Sequence, residues 1–204
     1  PKNKDARLRH RVDDLAERHG TFGQGVGVVV HDDVGIFAHP ALDGRLEDLD
    51  SLSVCPWDSD NPCHVDSRTG TSRLSKDHAT HVAGTIAGSD TTGDRHGMAR
   101  RANVYSRSFH FRAPGGVGRA GVPVGTLTTN LLGDARTRRA YISNHSYGPV
   151  TGYYYDGKSY RDAGNRTLFG AYDGGSRALD RFLSSDGQDI VFVVAAGNDR
   201  NPRC

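Results

Sequence analysis

Sulfur and lysine are scarce in this chain of 204 residues, which has one methionine, three cysteines and only Lys2, Lys4, Lys76 and Lys158 among 26 basic residues. The arginine excess is compositional and points to no function. Long apolar runs are absent: the longest candidate, Val26 to Val30, is far shorter than the roughly 18 residues a membrane span needs. No charge of one sign dominates, since 26 basic residues face 24 acidic ones for a net charge of +2. That balance gives no reason to expect nucleic acid or an anionic membrane as the main partner. There is no internal repeat, no low-complexity block and no CxxC pair of the kind zinc sites use. The segment opening at Pro1 is charged and does not read as a secretory leader. Cys55 and Cys63 bracket a short polar stretch, which reads either as a local disulfide, implying an oxidising compartment, or as two free thiols. Cys204 is left over, free or paired outside the chain.

What is present is a chain with 26 glycines and a mean hydropathy of −0.59, as expected of a turn-rich globular domain covering residues 1–204. Leu8, Val12 and Leu15 recur at helical spacing and predict a short amphipathic helix over 5–18. The β-branched run at 25–31 predicts a strand buried on both faces. Residues 43–75 read as loop. A helix of small residues is expected over 77–88, where Gly84 costs about 1 kcal/mol of helix propensity but would permit close packing. Then follow a strand at 102–109, a helix at 124–139, a strand at 140–146, a Tyr/Gly-rich excursion at 149–166, a helix at 171–186 and a second buried strand at 189–195. This alternation predicts an α/β fold: a doubly wound, mostly parallel sheet with helices on both faces and right-handed crossovers. In such sheets ligands sit beyond the carboxyl ends of the strands.

Those ends hold chemistry-bearing residues. The first buried strand runs into His31-Asp32-Asp33, and an acid there can orient a catalytic base or cap the next turn. His78 sits in the first turn of the small-residue helix, at the mouth of the sheet. The last strand runs into Gly197-Asn198, whose amide is a neutral, directed donor suited to an oxyanion.

Together these segments resemble the subtilisin-like serine protease family. VGVVVHDDVGIFAHPAL is similar to its aspartate motif, DHATHVAGTIAG to its histidine motif with Ala79 in place of a glycine, HGMARRANVYS to the segment leading into the next strand, ISNHSYG to the segment beside the substrate, and FVVAAGND to the oxyanion-hole segment. The resemblance implies Asp32 as the triad acid, His78 as general base, Asn198 as oxyanion donor, and Ser146, Tyr147 and Gly148 along the specificity pocket. It places Gly116, within Gly115 to Gly118, on the other side of a bound peptide, and gives His81 a structural role. For the acid, Asp33 with Gly35 fits the family's Asp-x-Gly spacing, whereas Val30 and the distance to His39-Pro40 fit Asp32. Choosing Asp33 would put His31 where a buried apolar residue is expected. Asp32 is therefore taken. Structural calcium is also implied, with Asp58 to Asp66 and Ser89 to Asp94 as candidate loops and no ligand assigned.

The departure that matters is the nucleophile. The family's G-T-S-x-(A/S)-x-P motif does not occur among these residues; Gly70-Thr71-Ser72 precedes His78 and lacks the helix of small residues that should follow. The expected sheet is therefore incomplete in this chain. The first expectation is the N-terminal larger part of a secreted or periplasmic serine endopeptidase acting on protein or peptide substrates. A second chain or segment, held through Cys204, would supply the serine. The alternatives are a catalytically inactive peptide-binding module and a metal-dependent hydrolase using His31, Asp32, His78 and His81.

Overall fold

A computed structural model describes residues 2–32, 35–50, 74–90, 95–108, 124–148, 153–155, 158–162 and 170–197. The cysteines lie outside them, and so does the 51–73 portion of the expected loop. The elements in chain order are α1 (Lys2–Arg9), α2 (Val12–His19), β1 (Gly27–Asp32), β2 (Leu46–Asp48), α3 (Leu74–Ala87), β3 (Asn103–Ser108), α4 (Val124–Arg138), β4 (Ile142–His145), the hairpin pair β5 (Tyr153–Tyr155) and β6 (Tyr160–Asp162), α5 (Gly174–Leu183) and β7 (Val191–Val194). Five strands form one parallel sheet in the order β2-β3-β1-β4-β7. No helix among the described residues is long and apolar enough to cross a membrane.

The centre of the sheet is β1, buried along its whole length because Val28, Val29 and Val30 have a covered face on either side. Side chains alternate between faces, so Val30 and Val29 report different layers. Val30 packs with Val104, Leu42 and the alanine stripe Ala79, Ala83 and Ala87 of α3. The four-residue spacing puts those alanines on one side of the helix, and their size lets α3 lie close to the sheet. Val29 lies with Tyr105 and Ala140 on the opposite face. On that face Phe192 of β7 joins Leu127 and Leu131 of α4 and Phe182 of α5. Gly84, expected to allow close packing, meets nothing within 4 Å of an added Cβ; Gly97 is a tight position against α3, where a Cβ would stand 2.7 Å from the backbone of Ile86 and Ala87.

Three expectations are corrected. The N-terminal helix is two helices, broken where Arg11 adopts a left-handed conformation (φ 54°), and its Leu8 and Leu15 are exposed while Arg7 is buried. Arg7 is held by Asp13 at 3.1 Å and by the carbonyl of His96 at 2.6 Å. The loop after β1 contains a short third parallel strand, β2, added beyond β3. The last strand forms as expected but is not buried, and Val191, Val193 and Val194 are exposed.

Candidate active site

The carboxyl edge of the sheet brings Asp32 and His78 together. Asp32 ends β1, and alternation along the strand aims its side chain at the face covered by α3, whose fifth residue is His78. His78 Nδ1 lies 2.7 Å from Asp32 Oδ2. The carboxylate can only accept, so Nδ1 carries the hydrogen and Nε2 is left as the basic nitrogen. Asp32 is 5% exposed and the His78 side chain 50%, so the carboxylate sits in the sheet and the imidazole reaches the surface. Beyond the strand, Ile36 and Phe37 are pinned from both sides: Ile36 N donates to Ser106 Oγ at 3.1 Å, and Phe37 N donates to Thr80 Oγ1 at 2.9 Å. Thr80 is two residues from His78, so one contact registers the acid-bearing strand against the base-bearing helix.

Behind Asp32, on the other face, lies a polar layer that the sequence reading did not anticipate. His31 was expected to avoid burial as an unpaired ring, yet it is buried with its Nε2 unpartnered among the described residues. It stacks on His145, its cross-strand neighbour on β4, with centroids 4.5 Å apart and planes 15° from parallel. His145 stacks in turn on Phe192 at 4.0 Å. Burial, and then the Arg107 cation on the adjacent strand, push His31 down to about 3; burial and then His31 do the same for His145. Both rings are therefore neutral near pH 7. Arg107 is clamped by Asp134 through two bonds of 2.7 Å and by Asp50 through one of 2.9 Å, and the Asp134 bonds lead in raising its affinity for its proton. The one signal for this layer in the sequence is a His or Arg near the end of each of the three middle strands, His31, Arg107 and His145.

Of the other residues expected at the site, Ser146 donates to Asn144 Oδ1 at 2.9 Å just past β4. The Tyr147 hydroxyl meets His145 Nδ1 at 2.9 Å, and Gly148 is exposed. Tyr147 is held above its ordinary range by burial and then by the nearby Asp32 carboxylate. Asp33, Gly116 and Asn198 lie outside the described residues, as do 58–66 and 91–94 of the candidate calcium loops. Ser89 Oγ accepts from the Arg45 guanidinium at 3.0 Å, which does not fit a cation ligand. His81 is exposed, and no three His, Cys, Asp or Glu side chains among the described residues are grouped to hold a metal ion.

The family model described as the subtilase family matches residues 23–203. In structure the chain is similar to the MycP3 protease from the type VII (ESX-3) secretion system, with a TM-score of 0.54 and 24% identity over 97% of this chain and 47% of that one. It is similar to MycP1 from the ESX-1 type VII secretion system, with a TM-score of 0.53 and 21% identity over 96% and 46%. It is also similar to the Clostridium perfringens CspB protease, with a TM-score of 0.54 and 19% identity over 92% and 39%. At these identities the likeness is one of fold, and the chain spans about half the length, or less, of each of these proteins. No curated protein sequence matches it.

Proposed function

The chain belongs to the subtilase family, and from that premise we propose that it is the acid- and base-bearing part of a secreted serine endopeptidase. The observation that carries the reading is the 2.7 Å bond between buried Asp32 and half-exposed His78. In the proposed reaction Asp32 holds the imidazole in the tautomer whose Nε2 is a lone pair. His78 takes the proton of a serine hydroxyl as that oxygen attacks the peptide carbonyl, then returns it to the leaving amine. Asn198 donates to the developing oxyanion. Ser146, Tyr147 and Gly148 line the peptide. The nucleophile comes from polypeptide beyond these 204 residues, since the family's serine motif is not among them.

The test combines a serine-directed phosphonate with intact-mass measurement, with and without reductant, on the purified native protein. The expected result is a single phosphonate adduct on a serine outside the present sequence, blocked by His78→Ala. Folded protein that takes no label overturns the peptidase reading. The absent serine motif favours a second reading, an inactive module that keeps the groove, and unlabelled protein that still binds peptide is its signature.

A further inference from the structure

His145 is buried and uses both ring nitrogens, Nε2 to Ser143 Oγ at 2.8 Å and Nδ1 to the Tyr147 hydroxyl at 2.9 Å. Its faces are occupied by His31 and Phe192. A phenylalanine would fill that stack without the penalty of burying an imidazole. What histidine adds is two in-plane hydrogen bonds, one rooted in the strand and one reaching the segment after it. Tyr147 is edge-on to the same ring, with centroids 5.6 Å apart, and its phenol feels the Asp32 carboxylate. The segment that leaves β4 is thus tied back to the sheet beside the Asp32–His78 pair.

We propose that His145 is a positioning residue that fixes, through the Tyr147 hydroxyl, the Ser146–Gly148 wall of the peptide groove. This rests on the peptidase reading for the identity of the groove. A neutral imidazole offers one donor and one acceptor, so Ser143 and Tyr147 are both satisfied in either tautomer. The tie holds at any pH at which the ring stays uncharged. Without it the Tyr147 hydroxyl loses its anchor on β4, and peptide binding has to restore that part of the order.

The test compares His145→Phe, Tyr147→Phe and the double variant in the full native protein, reading the Kd of a fluorescent substrate peptide alongside kcat and KM. His145→Phe keeps the stack and loses both bonds; Tyr147→Phe keeps the ring and loses the hydroxyl alone. Each is expected to weaken peptide binding about threefold to tenfold, the range one buried hydrogen bond commands, with a larger change in KM than in kcat. The double variant should be no weaker than His145→Phe, because both remove one interaction. Protein that takes the phosphonate label but binds peptide equally well in all four forms overturns the positioning role and leaves the peptidase reading intact. Unsubstituted protein that neither labels nor binds peptide overturns both. Should His145→Phe fail to fold, an unchanged Kd in Tyr147→Phe is sufficient to overturn it.

Discussion

At the scale of single residues, the stacked imidazoles behind the site set a pH dependence whose sign is fixed by their burial. His31 and His145 are pushed down to about 3 in the folded chain from an ordinary 6.5. Below pH 6.5 the unfolded chain takes up protons that the folded rings refuse, so protonation favours unfolding. The stability these rings leave intact above 6.5 is therefore lost as the pH falls toward 3, at about 1.4 kcal/mol per pH unit for each ring. The groups facing them reinforce the effect from one side: Arg107 stands across from His31 as a cation, with its charge partly answered by Asp134 and Asp50, while Tyr147, Ser143 and Phe192 add no charge. Urea unfolding between pH 7 and pH 5, above the range where most carboxylates titrate, reads this directly. His31→Phe keeps an aromatic partner for His145 and should flatten the fall in stability by about 1.4 kcal/mol per pH unit. Equal slopes in the two proteins would show that the buried rings do not govern acid lability.

At the scale of elements, α3 carries His78, the proposed base, and its distance from the sheet is set by alanines. Ala79, Ala83 and Ala87 are fully buried against Val30 and Val104. Enlarging the middle contact lifts the helix, and His78 with it, off the strand that ends in Asp32. Ala83→Leu is expected to cost about 1–3 kcal/mol as overpacking and to lengthen the His78–Asp32 bond beyond hydrogen-bond range. Thermal unfolding and the imidazole proton resonance of His78 measure the two effects, and a loss of stability with the resonance unmoved would separate packing from registration. This helix was legible in the sequence because small residues accompany Val82 and Ile86 at helical spacing, and the meeting of Asp32 with His78 was legible because a strand end and a helix start converge at one edge of a parallel sheet. Other elements were not. The break between α1 and α2 falls at Arg11, which takes a left-handed conformation with no glycine to announce it. The three residues of β2 are too few for a periodicity to register. The inward turn of His31, with Nε2 unpartnered among the described residues, ran against the expectation that such a ring avoids burial, and its stacking on His145 has no periodicity to announce it. The bonds that answer the cost of burying His145 come from Ser143 and Tyr147, neighbours on β4 and just beyond it.

At the scale of the whole molecule, β7 is in conflict with its own composition. VFVV is a sequence for a parallel strand covered on both faces, and on the α4–α5 face Phe192 is packed as that predicts. Yet Val191, Val193 and Val194 are 55%, 42% and 57% exposed, with two of them on the face that α3 covers farther along the sheet and one on the other. Among the described residues β7 is also the outermost strand on its side, so one backbone edge presents unpaired N–H and C=O groups beside that apolar surface. The structural neighbours have roughly twice the length of this chain or more, and the proposed nucleophile has to arrive near His78 from such additional polypeptide. Covering the α3-side face of β7 would bring it there, because that is the face toward which Asp32 points. The 204 residues produced alone are therefore expected to bind a hydrophobic dye and to self-associate, whereas the full native protein does neither. Val193→Lys separates the two situations by sign. In the isolated chain it removes exposed apolar surface and should reduce dye binding and association. In the full protein it buries a charge without a partner and should cost several kcal/mol in unfolding experiments. Equal tolerance of the lysine in both contexts would mean that nothing covers this strand, and the serine would then have to reach His78 by another route.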